Sequence, residues 1–241
     1  MRLVAAKLLG ALALLSIAIV VAPVAASARP GIDVAVETVH GRQATAAAPI
    51  NVLTITDQRR IDNRISAYTD LAGRLVLTAP EGLRDPDGSG ENCKLDNAKT
   101  GESSAQQVSC ASGYIGAIVG DLGSGNDTFN ADPALAVMIG AVIDGVRRPL
   151  WGGPGRDRLV GGLGPDLLAG TGGADSLIGG GGEDLLVGGA GADHIGGGAA
   201  NDVLLGGAGP DRLAGGAGRD LCRGAGDTDR GKSCELARSI P

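Results

Sequence analysis

GGPGRDRLV-GGLGPDLLA-GTGGADSLI-GGGGEDLLV-GGAGADHIG-GGAANDVLL-GGAGPDRLA-GGAGRDLCR, residues 152–223, repeats every nine residues. A degenerate ninth unit, GAGDTDRGK, ends at Lys232. The sixth position is Asp in every unit: Asp157, Asp166, Asp175, Asp184, Asp193, Asp202, Asp211, Asp220 and Asp229. The eighth is apolar: Leu159, Leu168, Leu177, Leu186, Ile195, Leu204, Leu213, then Cys222. Two residue classes held in phase over this length indicate a solenoid in which each unit stacks on its neighbours.

Composition points the same way. Gly accounts for 43 of 241 residues and aromatics for only 2%. A conventional core draws much of its buried area from Phe, Tyr and Trp, so a layered, repetitive architecture fits better than a compact globule. The net charge of −6 argues against a nucleic-acid partner, which needs a basic face, and suits cations.

Gly at positions one, two and four allows positive φ and lets the turn direct its carbonyls inward. Candidate contributors are Gly153, Gly155, Gly162, Gly164, Gly173, Gly180, Gly182, Gly189 and Gly191. Calcium takes six to eight oxygen ligands, which carboxylates and backbone carbonyls supply. Each Asp ends its turn, where it can join such a cage.

The pattern G-G-x-G-x-D-x-U-x resembles the RTX (repeat-in-toxin) calcium-binding repeats. The resemblance implies a parallel β-roll in which six residues turn, three form a strand, and two repeats complete a coil of 18. Aspartates two repeats apart then stack in two columns, one of Asp157, Asp175, Asp193, Asp211 and Asp229, the other of Asp166, Asp184, Asp202 and Asp220. The gaps provide for at most about seven calcium ions. Carboxylates stacked at the strand spacing of about 4.8 Å repel by about 3.5 kcal/mol at an effective dielectric of 20. Folding of residues 152–232 is therefore expected to depend on calcium. Ala200 replaces Gly at position four of the sixth unit, and the ninth unit departs further, so the sites of Asp202 and Asp229 are the weakest.

Positions seven and nine flank the inward residue and point outward. Odd repeats carry mostly polar residues at position seven. Even repeats present Leu167, Leu185, Val187, Val203, Leu205 and Leu221, an apolar face expected to pack on the N-terminal strands, on a second copy or on another extracellular protein.

Upstream, alternating apolar and polar residues at 32–39, 50–55, 61–68 and 115–122 predict short strands. LGSGNDTFN at 122–130 is a further repeat with Asp127 at position six, followed by an insertion at 131–151. The resulting layout is a strand-rich region at 29–112, a transition at 113–151, the roll at 152–232 and a cap at 233–241. The fold class is all-β, a parallel roll preceded by a strand-rich region that continues it without metal.

Residues 1–28 read as an export signal: Arg2 and Lys7, an apolar run from Leu8, and a small-x-small site at Ala26-Ser27-Ala28. Pro23 and that site favour cleavage over retention as a membrane anchor. Cleavage takes the net charge from −6 to −8 and leaves no membrane-inserted segment. An even number of Cys behind such a signal, Cys93, Cys110, Cys222 and Cys234, implies disulfides in an oxidising, extracellular setting. Local pairing is the simplest of three connectivities, and Cys222–Cys234 would close the open end of the roll. Its repeats therefore resemble those of exported toxins, but the signal and cysteines point to another route, and toxin activity does not carry over.

No catalytic constellation is apparent. The two histidines, His40 and His194, form no H-E-x-x-H, and no G-x-S-x-G is present. Asp85–Asp96 spaces oxygens as an EF-hand loop does but lacks the closing Glu and flanking helices, and reads as a solvated loop. Trp151 and Phe129 are expected to pack at the mouth of the roll. The chain is thus expected to be a secreted calcium-binding protein with a structural or interaction role, not an enzyme, an extracellular enzyme or a surface adhesin being the alternatives.

Overall fold

The computed structural model describes residues 32–39, 50–57, 61–84, 93–96, 104–111, 115–143, 146–225, 229–234 and 236–238. The signal segment and most of the 85–104 loop lie outside them. The described residues form strands, turns and bends and no helix.

Two parallel ladders run the length of the roll because residues 18 apart stand in register. One stacks Arg158–Val160, Ser176–Gly181, His194–Ala199, Arg212–Ala217 and Arg230–Lys232. The other stacks Leu150–Pro154, Leu167–Gly172, Leu185–Ala190, Val203–Ala208 and Leu221–Arg223, to which Leu236–Arg238 adds at an offset of 15 residues. Alternation along each strand turns the eighth position inward, and Leu159 through Cys222 are at most 2% exposed. The core is a narrow seam of Leu and Ile between the ladders, so aliphatic side chains suffice to fill it.

The ladders do not stop where the repeats do. The first continues through Thr128–Ala131 to Arg64–Thr69, both parallel. Phe129 and Ile65 thereby extend the inward row, at 0% and 1% exposure. The second continues through Ile115–Asp121 to Ile50–Thr56. The strand expected at 61–68 begins three residues later, at Arg64, because Ile61 to Asn63 complete a turn resembling those of the repeats. Antiparallel strands close this end. Ile32–Val39 pairs with Ile50–Thr56, and Leu75–Arg84 pairs with both Arg64–Thr69 and Ser104–Cys110.

The insertion forms a short hairpin, Ala141–Ile143 with Val146–Arg148. Ala141 and Met138 pack with Val52, Ala117 and Val119 on the outer side of the second ladder.

Both disulfides are local. Cys93 and Cys110 are direct partners across neighbouring strands, with Cα atoms 3.9 Å apart. Cys222 fills the last inward slot and reaches Cys234, Cα–Cα 5.7 Å, fastening the closing strand to the seam. Each bridge contributes about 3 kcal/mol by restricting the unfolded chain.

Candidate metal centre

All nine sixth-position aspartates are buried, none more than 3% exposed. One oxygen of each has a fixed task. Oδ1 of Asp175 accepts the backbone N–H of Asp157 at 2.8 Å, and the bond recurs at 18-residue steps. Asp193, Asp211 and Asp229 accept from the aspartate before them in the first column, and Asp184, Asp202 and Asp220 do so in the second, at 2.8–3.0 Å. Each carboxylate is therefore hydrogen-bonded to the coil before its own. The repulsion expected within each column is real but is partly offset by these N–H dipoles.

The other oxygen is left over. Oδ2 of Asp157, Asp175, Asp184, Asp193, Asp202 and Asp211 is buried and accepts no hydrogen bond. A buried, unsatisfied carboxylate oxygen is costly, and its recurrence marks a feature of the design. Asp166 differs. Its Oδ2 accepts the N–H of Gly162 at 2.8 Å, and its Oδ1 accepts that of Ile139.

The glycines divide into two classes. At the first position the backbone has ordinary φ, and glycine is required for space. A Cβ on Gly161, Gly170, Gly179, Gly188 or Gly197 would collide with Oδ2 of its own repeat's aspartate. The same place is approached by the first-position carbonyl of the next stacked repeat, such as Gly179 O above Gly161. At positions two and four the requirement is conformational. Gly153, Gly155, Gly173, Gly180, Gly182, Gly189 and Gly191 have φ between 96° and 155°. Gly162 and Gly164 do not share that conformation. Their turn stacks on the irregular segment at Leu135 and Ala136, whose carbonyls crowd them instead.

Among the described residues no three His, Cys, Asp or Glu side chains converge. A cation held here must draw on backbone carbonyls besides carboxylates, which suits calcium and excludes a site built from side chains alone. The orphaned Oδ2 atoms and nearby carbonyls meet that requirement.

Electrostatics agree. Burial raises Asp157 and Asp166 to about 7 and Asp184 to about 8, outweighing the backbone N–H groups that favour the charged form. Asp175, Asp193, Asp202 and Asp211 are raised for the same reason. Without a cation Asp157, Asp166 and Asp184 compete for protons near neutrality.

The chain's likeness to known proteins lies in this region. A family model described as the RTX calcium-binding nonapeptide repeat matches four times, at residues 150–168, 160–195, 169–204 and 196–230. Residues 150–230 are RTX repeats. No curated protein and no solved structure matches the chain. The RTX segment is a calcium-binding β-roll, and the orphaned aspartate oxygens are the candidate groups in it to meet a cation.

Other predicted sites fall as follows. Asp127 joins the first column: its N–H donates to Asp157 Oδ1 at 2.8 Å, and its own Oδ2 is buried without a partner. Its first-position residue is Leu122, however, so the first-position glycine is missing, although Gly123 and Gly125 keep the second and fourth. Asn63 stands one coil further out and had no signature in the sequence. Its N–H and Nδ2 both donate to Asp127 Oδ1, and Nδ2 also reaches Leu122 O at 2.8 Å. Asp229 keeps its place as acceptor from Asp211 although its repeat is degenerate. Asp202 also retains column geometry. Ala200 takes the glycine-like φ of 81°, so that substitution strains the turn while the Asp202 carboxylate still accepts the Asp184 N–H.

The apolar outer face is only partly covered. Leu167 and Ala169 are buried, whereas Leu185, Val187, Val203, Leu205 and Leu221 are half-buried. The N-terminal strands extend this ladder edgewise and do not pack over it. Phe129 is core, but Trp151 lies on the outer surface, 40% exposed, in register with Ala169. His194 is exposed between Ser176 and Arg212. The EF-hand-like loop lies largely outside the described residues.

Proposed function

We propose that this is an exported protein whose roll folds when it meets extracellular calcium, and that it serves as a calcium-set scaffold or interaction module and not as an enzyme. The observation that carries this reading is the row of buried aspartate oxygens without hydrogen-bond partners. In calcium-poor surroundings the columns are a liability. At extracellular calcium each cation offsets a desolvated carboxylate, and binding free energy becomes folding free energy.

Export is supported by the residue pattern of 1–28 and by two disulfides, which persist in oxidising compartments. A non-catalytic role is supported by the regular, repeated use of the acidic groups, which suits ligation better than acid–base chemistry. The half-buried Leu and Val of the second ladder are the part of the surface suited to self-association or to an extracellular protein partner.

Calorimetric titration of the mature chain with calcium, followed in parallel by circular dichroism, tests the reading. Several ions should bind together with a gain of β signal, at an affinity of about 10⁻⁴–10⁻³ M, typical of extracellular modules. A chain whose spectrum is the same in chelator and in calcium would refute the coupling.

A further inference from the structure

The two outer faces differ in charge. On the ladder beginning at Arg64, register sets the position-seven residues His194, Arg212 and Arg230 in one row. Lys232 joins them from the position-nine row, where Gly196, Ala214 and Lys232 are consecutive partners. These four basic side chains border a shallow depression of about 430 Å³ floored by Ile178, Gly196 and Ala214. The protein as a whole is acidic, yet among the described residues neither Arg212, Arg230 nor Lys232 forms an ion pair with a carboxylate. Arg212 Nη1 lies 2.9 Å from His194 Nε2. Arg212 and Arg230 are like charges on adjacent strands, which is destabilising, and among the described residues neither is relieved by an ion pair with a carboxylate.

Gly196 adds an independent observation. Most other glycines of the roll are held by positive φ or by a neighbour in the way of a Cβ, Gly172 at a third turn position being another that meets neither. Gly196 has neither constraint: a Cβ there would meet nothing within 4 Å. Its counterparts two coils before and one coil before are Val160 and Ile178. Packing therefore does not require a glycine, and its small size keeps the depression open.

We propose that this face binds a linear anionic polysaccharide, one carrying carboxylate or sulfate groups along an extended chain. Guanidinium groups hold such oxyanions through paired N–H donors, and the strand spacing of about 4.8 Å offers them at a regular interval. The flat aliphatic floor accepts the C–H face of a sugar ring. Single-stranded nucleic acid fits less well, because it is bound largely by stacking on aromatic side chains. The aromatics nearest the roll are elsewhere: Phe129 is buried and Trp151 belongs to the other ladder.

The test uses the full mature chain in millimolar calcium, with dextran sulfate and polygalacturonate as probes and neutral dextran and a single-stranded DNA oligonucleotide as comparisons. At least one anionic polysaccharide should bind, and binding should weaken steeply with added salt. The arm that binds distinguishes sulfate from carboxylate. Arg212→Ala with Arg230→Ala should weaken binding at least tenfold, whereas Arg223→Ala on the other ladder should not. Gly196→Val should also weaken it at least tenfold with the thermal midpoint held or raised, since valine suits a strand. Unchanged binding in both groove variants would overturn the proposal, as would neutral dextran or DNA binding as tightly as the polysaccharides. The calcium-induced circular dichroism, recorded on the same samples, reports separately on the roll.

Discussion

Asn63 and Asp193 occupy equivalent places in one continuous ladder, and they resolve the same problem by different means. Each ends a turn, and each side chain lies near the first-position carbonyl of the next stacked coil. Asn63 presents an amide there, and its Nδ2 donates to Leu122 O at 2.8 Å. Asp193 presents Oδ2, and the approaching carbonyl is that of Gly206, so oxygen faces oxygen. One backbone geometry thus supports two chemistries, a coil whose side chain donates to that carbonyl and a coil that leaves a carboxylate oxygen beside it without a hydrogen bond. The N-terminal coils also lean on antiparallel partners and a disulfide, which the repeats lack until Cys222.

The largest expected consequence is a division of stability along the molecule. Hydrogen exchange in chelator should leave the amides of 158–223 unprotected, while those of Arg64–Thr69, Leu75–Arg84 and Ser104–Cys110 stay protected. Calcium should restore the former without altering the latter. Equal loss of protection in both regions would mean that the N-terminal strands depend on the metal too, and the comparison would fail.

Substitution can move a coil from one chemistry to the other. Asp193→Asn keeps an acceptor for Asp175 N–H and supplies a donor toward Gly206 O. It should lower the calcium stoichiometry and make the roll more resistant to chelator. Asp193→Ala strands the Asp175 N–H and should cost about 1–3 kcal/mol even in saturating calcium. Asn63→Asp is the converse, removing the Leu122 contact and burying a charge. It should lower the unfolding free energy of the N-terminal region by a similar amount, measured by denaturant titration in chelator. Identical behaviour of the Asn and Ala variants at 193 would show that the amide does not substitute for the ion.

Protons should substitute for calcium as well, less effectively. Asp157, Asp166 and Asp184 are raised from 3.8 to about 7, 7 and 8. A carboxyl with a raised folded-state pKa stabilises the fold below its unfolded pKa, and that contribution is lost as pH rises through the folded value. The metal-free roll should therefore gain stability as pH falls from about 8 toward 4. Saturating calcium should reverse the slope between pH 6 and 8, because protons then compete with the ion. Thermal midpoints across that range, with and without chelator, decide the matter.

The repeat made the roll legible because its signal is redundant. Asp in every sixth position and Leu or Ile in seven eighth positions established stacking and the inward row. What lay outside that redundancy was harder to read. Asn63 sits in a turn without the glycine spacing, and its place in the column comes from pairing with Thr128–Ala131, a contact about 60 residues distant in sequence that no local pattern encodes. The glycines were legible as a group but not by function. Sequence alone does not separate Gly161, which makes room for a carboxylate, from Gly180, which supplies φ of 114°. Trp151 was misplaced because its outward direction depends on where the insertion returns the chain to the ladder.

The smallest expected effect concerns Ala200 and follows from that distinction. Its place in the repeat normally belongs to glycine, and it holds φ of 81° where an L side chain is disfavoured. That conformation costs a non-glycine residue about 1–2 kcal/mol. Ala200→Gly removes the strain but also loosens the unfolded chain, which returns about 0.4–1 kcal/mol. The net expectation is a gain of about 0.5–1 kcal/mol and a thermal midpoint a few degrees higher in calcium. Calcium stoichiometry should not change, because the Asp202 carboxylate already accepts the Asp184 N–H as the other column members do. A rise in stoichiometry on this change would show that alanine at position four had blocked a cation site and not merely strained a turn.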